Sequence, residues 1–335
     1  MIRLETDVNL QTLNTMAIPS VASFFYPLSC PQALPELSTL AASKSLPVRT
    51  LGEGSNLVLP DKVEALVLHN KIPGIDVLDE TNASIDVKVG AGENWHEFVC
   101  WVVEQGYSGL ENLALIPGTV GAAPVQNIGA YGVEAGDFIV SVQAYDLTTN
   151  EFVVVPKRDC QFAYRSSLFK TRENELVITS VTFRLNKQFV PVLGYGTLQE
   201  LASDKNLSPK KVLQHIVEVR QQKLPDPVEI PNAGSFFKNP VVTLDEFRRI
   251  AESFPDVVSY AADGGRKLAA GWLIDKAGLR GASGPGGVGS FKNQALVIVN
   301  PEKAGADSVL GWADQVCRKV FELFGVRLEI EPRRW

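Results

Sequence analysis

From Asn112 to Val133 the chain carries no charged side chain. Inside that stretch lies Pro117-Gly-Thr-Val-Gly-Ala-Ala-Pro-Val-Gln-Asn-Ile-Gly-Ala-Tyr-Gly132. Gly118, Gly121, Gly129 and Gly132 permit positive φ and close approach of backbone to another group. The small residues Thr119, Ala122, Ala123 and Ala130 clear space beside them. Such backbone can turn N–H groups toward phosphate oxygens without a lysine. Read plainly, the stretch is a tightly packed surface loop. Its length without charge favours contact with a ligand. A second glycine loop, Gly52-Glu-Gly-Ser-Asn56, separates two strand-like runs, Pro47–Leu51 and Leu57–Leu59. It is no Walker loop, because no Gly-Lys-Ser/Thr follows. Nor is it a Rossmann fingerprint, because no G-x-G-x-x-G opens a helix. Alone it reads as a hairpin turn. Two such loops in one strand-rich region point to a long nucleotide ligand with a pyrophosphate.

The rest of the chain narrows the function classes. Its 335 residues suggest two domains, and 45% apolar residues supply a sizeable core. A net charge of −6 and a pI near 5.3 leave no basic surplus for general nucleic-acid binding. The longest apolar run, Phe98–Val103, falls far short of the roughly 20 residues that span a bilayer. No signal-like stretch opens the sequence, so a cytoplasmic location is expected. Cys30, Cys100, Cys160 and Cys317 form no close pair and are expected to be reduced. With only His69, His96 and His215, neither a zinc cluster nor a Cys-His nucleophile is expected. The chemistry then rests on other groups or on a borrowed cofactor.

The first part of the chain reads as strands and turns. Ile85–Val89 alternates as a half-buried strand. Asn94 opens a helix with Glu97 as capping-box partner and Trp95, Phe98, Val99 and Val102 as its apolar stripe. Residues 138–146 and 152–156 form a hairpin, and 177–185 a strand. The character changes near residue 205. Ser208-Pro209 starts a helix that ends near Gln222. Thr243 and Glu246 box a second, a third is expected over 267–277, and a last spans 306–324 with Gly325 as cap.

The ordered motifs Asn14-Thr-Met16, Leu51–Asn56, Ile116–Gly121, Gln126–Gly132, Tyr164-Arg-Ser-Ser167, Ala233–Pro240 and Ala269–Asp275 together resemble the UDP-N-acetylenolpyruvoylglucosamine reductase family, in its longer-chain subgroup with a tyrosine loop. The resemblance runs from about residue 10 to 331. It implies an α+β fold: an FAD-binding domain of the vanillyl-alcohol-oxidase (PCMH) type over 1–205, with lobes of about 1–68 and 69–205. A C-terminal α+β substrate domain follows over 206–331. It implies FAD as cofactor, held non-covalently, NADPH as reductant, and a small UDP-amino-sugar enolpyruvyl ether as substrate, in peptidoglycan synthesis. A monomer without nucleic-acid, membrane or metal partner is expected. An oxidase or dehydrogenase on the same flavin domain, and a nucleotide-sugar binder without redox chemistry, are the alternatives.

The resemblance assigns the cofactor to Gly52, Gly54, Ser55, Asn56, Gly118, Thr119, Gly121, Ala122, Gln126, Asn127, Gly129, Ala130, Tyr131 and Gly132. It assigns substrate contacts to Tyr164, Tyr195, Lys223, Asn239 and Gln294, with Tyr195 on a glycine-flanked lid. The implied reaction builds negative charge next to a carboxylate, which needs a cation and a proton donor. Arg165 fits the first task through its planar fork. Ser235 fits the second, recharged through Lys238 or water, with Ser290 in Gly289-Ser-Phe-Lys-Asn293 as the rival. Glu331 matches the assisting carboxylate. Pro332 follows it and lacks a ladder donor, so the closing strand is expected to end at Glu331.

Overall fold

The computed structural model describes residues 2–335, and its contacts divide the chain into two units. The first comprises the chain up to Val8, Ala22–Glu53 and Glu64–Arg220. The second comprises Asn9–Val21, Gly54–Val63 and Gln221–Trp335. Residue 205, where the sequence changes character, lies inside the first.

Two sheets build the first unit. One orders Glu5–Asn9, Val21–Leu28, Lys62–Asn70 and Val48–Leu51, the last pair parallel. Helix α1 (Leu34–Ser43) buries Leu34, Leu37 and Ala41 against its Leu28, Leu66 and Leu68. The other is antiparallel: Glu151–Pro156, Ile139–Asp146, Leu176–Asn186, Ser84–Gly90, Ile75–Glu80. Helix α2 (Trp95–Glu104) lays Trp95 and Phe98 on Phe183, with ring centroids 5.9 and 5.1 Å away. Each such fully buried side chain contributes about 1.5–3 kcal/mol. Half of its expected capping box forms: Asn94 accepts the N–H of Glu97, while the Asn94 amide donates to Glu53. Helix α3 (Pro209–Lys223) sinks Val212 and Ile216 into the same core.

In the second unit, Asn232–Ser235, Val297–Val299 and Gly289–Ser290 form one small sheet. Val241–Val242, Gly265–Leu268 and Ser259–Ala262 form another. Helix α4 (Leu244–Ser253) carries the complete Thr243–Glu246 box. The helix expected over 267–277 starts later. Arg266 and Lys267 pair with Val242 and Val241, so the chain is strand up to Leu268. Helix α5 (Ala270–Lys276) begins where Asn239 Oδ1 accepts the Ala270 N–H at 2.9 Å. Helix α6 (Ala306–Phe324) buries Val309, Trp312, Ala313, Val316 and Val320, and stops at Gly325 with φ 69°. Met16, Ile18 and Val58 join this core, so the Asn14-Thr-Met16 motif is part of it.

Candidate active site

In the first unit the charge-free loop hangs on the strand–helix junction before α2. Gly118, at φ 127°, donates its N–H to Glu53 Oε2 at 2.9 Å. The N–H groups of Val120 and Gly121 go to the carbonyls of Glu93 and Ala91, at 2.8 and 2.9 Å. Those donors are committed to the protein, so the loop offers a ligand closeness more than N–H groups. A Cβ on Gly52 would lie 2.8 Å from Thr119 Oγ1, and one on Gly121 2.6 Å from Ala91 Cβ. Gly52, Thr119 and Gly121 are thus brought together, with Ala122 exposed on the next turn.

At its other end the loop closes as a hairpin. Gly129–Ala130 pairs with Val133–Glu134. Tyr131 and Gly132 occupy the turn at φ 51° and 82°, the two positive values a type I′ turn demands. Gln126 and Asn127 are buried. The Asn127 amide is used inside the protein, donating to Glu134 Oε2 at 2.6 Å and accepting from Gly136 N–H at 2.8 Å. Arg165 Nη2 donates to the Gly129 carbonyl at 2.9 Å, with its guanidinium 5.2 Å from the Tyr164 ring. Arg165 itself sits at φ 53° in a tight turn closed by reciprocal Ala163–Ser166 bonds of 3.0 Å. This is backbone strain of the kind that marks functional turns. Tyr195, exposed, meets Tyr131 edge-on at 6.1 Å. Gly129–Gly132, Tyr164, Arg165 and Tyr195 therefore share one end of the loop.

Three residues that the sequence reading did not single out hold this arrangement. Asn112 donates to the carbonyls of Tyr131 and Val192, at 3.0 and 2.9 Å, tying the loop to the tyrosine segment. Lys170 Nζ donates to the Arg165 carbonyl at 3.0 Å. His96 Nδ1 accepts the N–H of Leu115, strained at φ 57°, and burial lowers its pKa. Burial likewise raises the Tyr131 pKa, opposed by the charge of Arg220. A buried amide at the start of a charge-free run was the legible signal for Asn112. His96 is set by a contact 19 positions away, and Lys170 by the strained turn at Arg165.

In the second unit, Gly54 at φ 64° faces the Asn14 motif: a Cβ there would lie 2.3 Å from the Leu13 carbonyl. The N–H of Thr15 donates to the Gly54 carbonyl at 3.2 Å, and that of Arg333 to the Asn56 carbonyl at 3.0 Å, with Ser55 between. Ser235 ends its strand opposite Val297 and is exposed, while the next two residues, Phe236 and Phe237, are buried. The N–H of Glu331 donates to the Phe236 carbonyl at 2.9 Å, and Ile330 bridges Phe237. Ser235 and Glu331 are therefore brought onto adjacent strands. The ladder stops at Glu331 as Pro332 requires, and Arg333–Arg334 resumes elsewhere, parallel to Leu57–Val58. Lys238 pairs with the exposed Glu329. Ser290 is buried and accepts from Trp312 Nε1 at 3.2 Å, a structural post. Asn239 and Gln294 both reach the start of α5: Asn239 caps Ala270, and Gln294 Oε1 lies 2.8 Å from where a Gly271 Cβ would stand. Lys223 is exposed at the last position of α3.

Residues 226–335 match the family described as UDP-N-acetylenolpyruvoylglucosamine reductase, C-terminal domain, and residues 25–154 match the FAD binding domain. Proteins named UDP-N-acetylenolpyruvoylglucosamine reductase from Polynucleobacter asymbioticus and Bdellovibrio bacteriovorus are 43% and 46% identical to this chain. The matches cover 98% and 99% of this chain and 96% and 100% of theirs. The crystal structure of UDP-N-acetylenolpyruvylglucosamine reductase from Thermus caldophilus superposes over 100% of both chains, with a TM-score of 0.67 at 24% identity. The expected α+β fold, an FAD-binding domain followed by a C-terminal α+β domain, is borne out.

Proposed function

The chain belongs to the UDP-N-acetylenolpyruvoylglucosamine reductase family, and from that membership we propose how its residues reduce enolpyruvyl-UDP-N-acetylglucosamine to UDP-N-acetylmuramate with NADPH, in peptidoglycan synthesis. The protein is an FAD-containing oxidoreductase. The observation that carries the reading is identity with reductases of one name over almost the whole of both chains.

FAD suits the residues present. The loop from Asn112 to Val133 carries no charge, and a sealed Arg220 Nε lacks a protein partner. We assign its contacts to Gly52, Gly54, Ser55, Asn56, Gly118, Thr119, Gly121, Ala122, Gln126, Asn127, Gly129, Ala130, Tyr131 and Gly132. When bound, FAD would supply hydride chemistry between NADPH and the terminal carbon of the enol ether. Arg165 holds the substrate carboxylate in two hydrogen bonds as charge spreads into it. Ser235 Oγ–H gives its proton to the carbon beside that carboxylate, and Glu331 assists there. Water returns the proton to Ser235, because the Lys238 ammonium is engaged by Glu329. Tyr164 orients the same end of the substrate, and Tyr195 closes over it. Lys223, Asn239 and Gln294 take the diphosphate and uridine. The same reading gives a FAD domain over 1–205, a substrate domain over 206–331, and a cytoplasmic monomer. None of the described helices is long and apolar enough to cross a membrane.

The test is spectroscopic. The pure protein is expected to be yellow, to bleach on anaerobic addition of NADPH, and to recover colour on addition of the enolpyruvyl substrate. A colourless protein, or recovery with oxygen alone, refutes the reading; bleaching by an alcohol or sugar instead of NADPH points to the oxidase alternative.

A further inference from the structure

Along α3, Val212, Ile216 and Arg220 recur at four-residue spacing, which aligns them on one helix face. Val212 and Ile216 are fully buried in the first unit's core. The next position of that stripe carries an arginine that is half-buried. Arg220 Nε is sealed from solvent with no hydrogen-bond partner, and no ion pair holds the side chain among the described residues. Tyr131 and His96 are the groups its charge acts on. Burial lowers the Arg220 pKa, only partly offset by Tyr131. A sealed guanidinium donor without an acceptor is costly, which fits an acceptor supplied by a bound ligand. Tyr131 belongs to the hairpin that Arg165 and Tyr195 touch, at the opposite end of the loop from Glu53.

We infer that Arg220 is a counter-cation for the bound flavin ring, opposing the negative charge the ring would gain on reduction and so favouring reduction by NADPH. The inference rests on the FAD reading above. The electrons balance without a proton: one hydride leaves NADPH as NADP+, and the flavin that receives both electrons gains one negative charge, which Arg220 faces. Charge beside N1 is an established means by which a protein tunes this ring.

The test compares holoenzyme with Arg220→Met, Arg220→Gln and Arg220→Lys. It measures the midpoint potential against a redox dye, the Kd for oxidised FAD, and thermal melting. Arg220→Met is expected to keep its flavin and lose at least tenfold in preference for the reduced over the oxidised form, which is about 30 mV for a two-electron couple. Arg220→Lys is expected to recover most of that loss. If Arg220→Met does not fold, the comparison of Arg220→Gln with Arg220→Lys gives the same contrast. A flavin-loaded neutral variant at the wild-type potential overturns the inference. So does a loss of oxidised-FAD affinity equal to or larger than the redox change, which would move the charge to the diphosphate. A wild-type protein that purifies without flavin would instead refute the functional reading itself.

Discussion

Replacing Glu53 by alanine removes one carboxylate that two groups share. Its Oε2 accepts the N–H of Gly118 at 2.9 Å and its Oε1 accepts Asn94 Nδ2 at 2.6 Å. Asn94 in turn caps α2, and Gly118 opens the charge-free loop at a φ open mainly to glycine. Hydrogen bonds to a charged acceptor contribute about 1.5–3 kcal/mol each, and a donor left without an acceptor loses about 1–3 kcal/mol. Both donors here are partly buried, so water recovers a share, and Glu53→Ala should cost about 2–3 kcal/mol in total. With a urea slope of about 3 kcal/mol per molar, the unfolding midpoint should fall by roughly 1 M. Glu53→Gln keeps one acceptor but turns an NH2 toward the other donor, so it should restore about half. Because the cofactor loop is ordered by the same bonds, FAD should bind at least tenfold more weakly to Glu53→Ala, about 1.4 kcal/mol. A Glu53→Ala protein with the wild-type midpoint and wild-type FAD affinity would refute the reasoning, since the loop would then hold its shape without the carboxylate.

Gly121→Ala should destabilise the first unit by about 1–3 kcal/mol through overpacking against Ala91, read as a lower melting temperature together with flavin loss. Ser235→Ala should lower kcat by about 10²–10⁴ with NADPH bleaching of the flavin unchanged. Ser290→Ala should leave turnover intact but strand Trp312 Nε1 in the interior, costing about 1–3 kcal/mol in a melting experiment; the opposite pattern would exchange their roles. On acidification two losses should follow in order. Burial, helped by Lys71, lowers His69 from 6.5 to about 4, so the fold holds it neutral. That stability is full above pH 6.5 and fades as pH falls toward 4, by up to about 3 kcal/mol. Asp146, despite burial, is held at about 2 by bonds from Thr148 and Arg172. Its contribution goes only between pH 3.8 and 2, and urea titrations across pH should separate the two steps.

Local patterns were legible where they were self-sufficient. The Thr243–Glu246 box and the α6 stripe with Gly325 each close over a few residues and form as read, and the hairpin expected over 138–146 and 152–156 forms with its strands at 139–146 and 151–156. The helix expected from Lys267 failed because strand pairing with Val241–Val242 outbids local preference until Asn239 supplies a cap. For the candidate site, the glycines and Arg165, Ser235 and Glu331 were visible as motif residues. Their supports were not: Glu53 and Asn112 act on partners 19 to 80 positions away, Lys170 on the carbonyl of a strained turn, and Arg220 Nε on none in the chain.

By itself the sequence determined the family, because its ordered motifs occur together along the chain, and it marked the uncharged glycine loop as a place for ligand contact. It also determined which helices form, because capping and apolar spacing act within a few residues. Only the tertiary structure decided that Asn9–Val21 and Gly54–Val63 belong with the C-terminal unit, that Ser290 is a post for Trp312, and that Arg220 Nε is sealed without a hydrogen-bond partner. Those outcomes depend on which distant surfaces exclude water from one another, and no short window of residues carries that information.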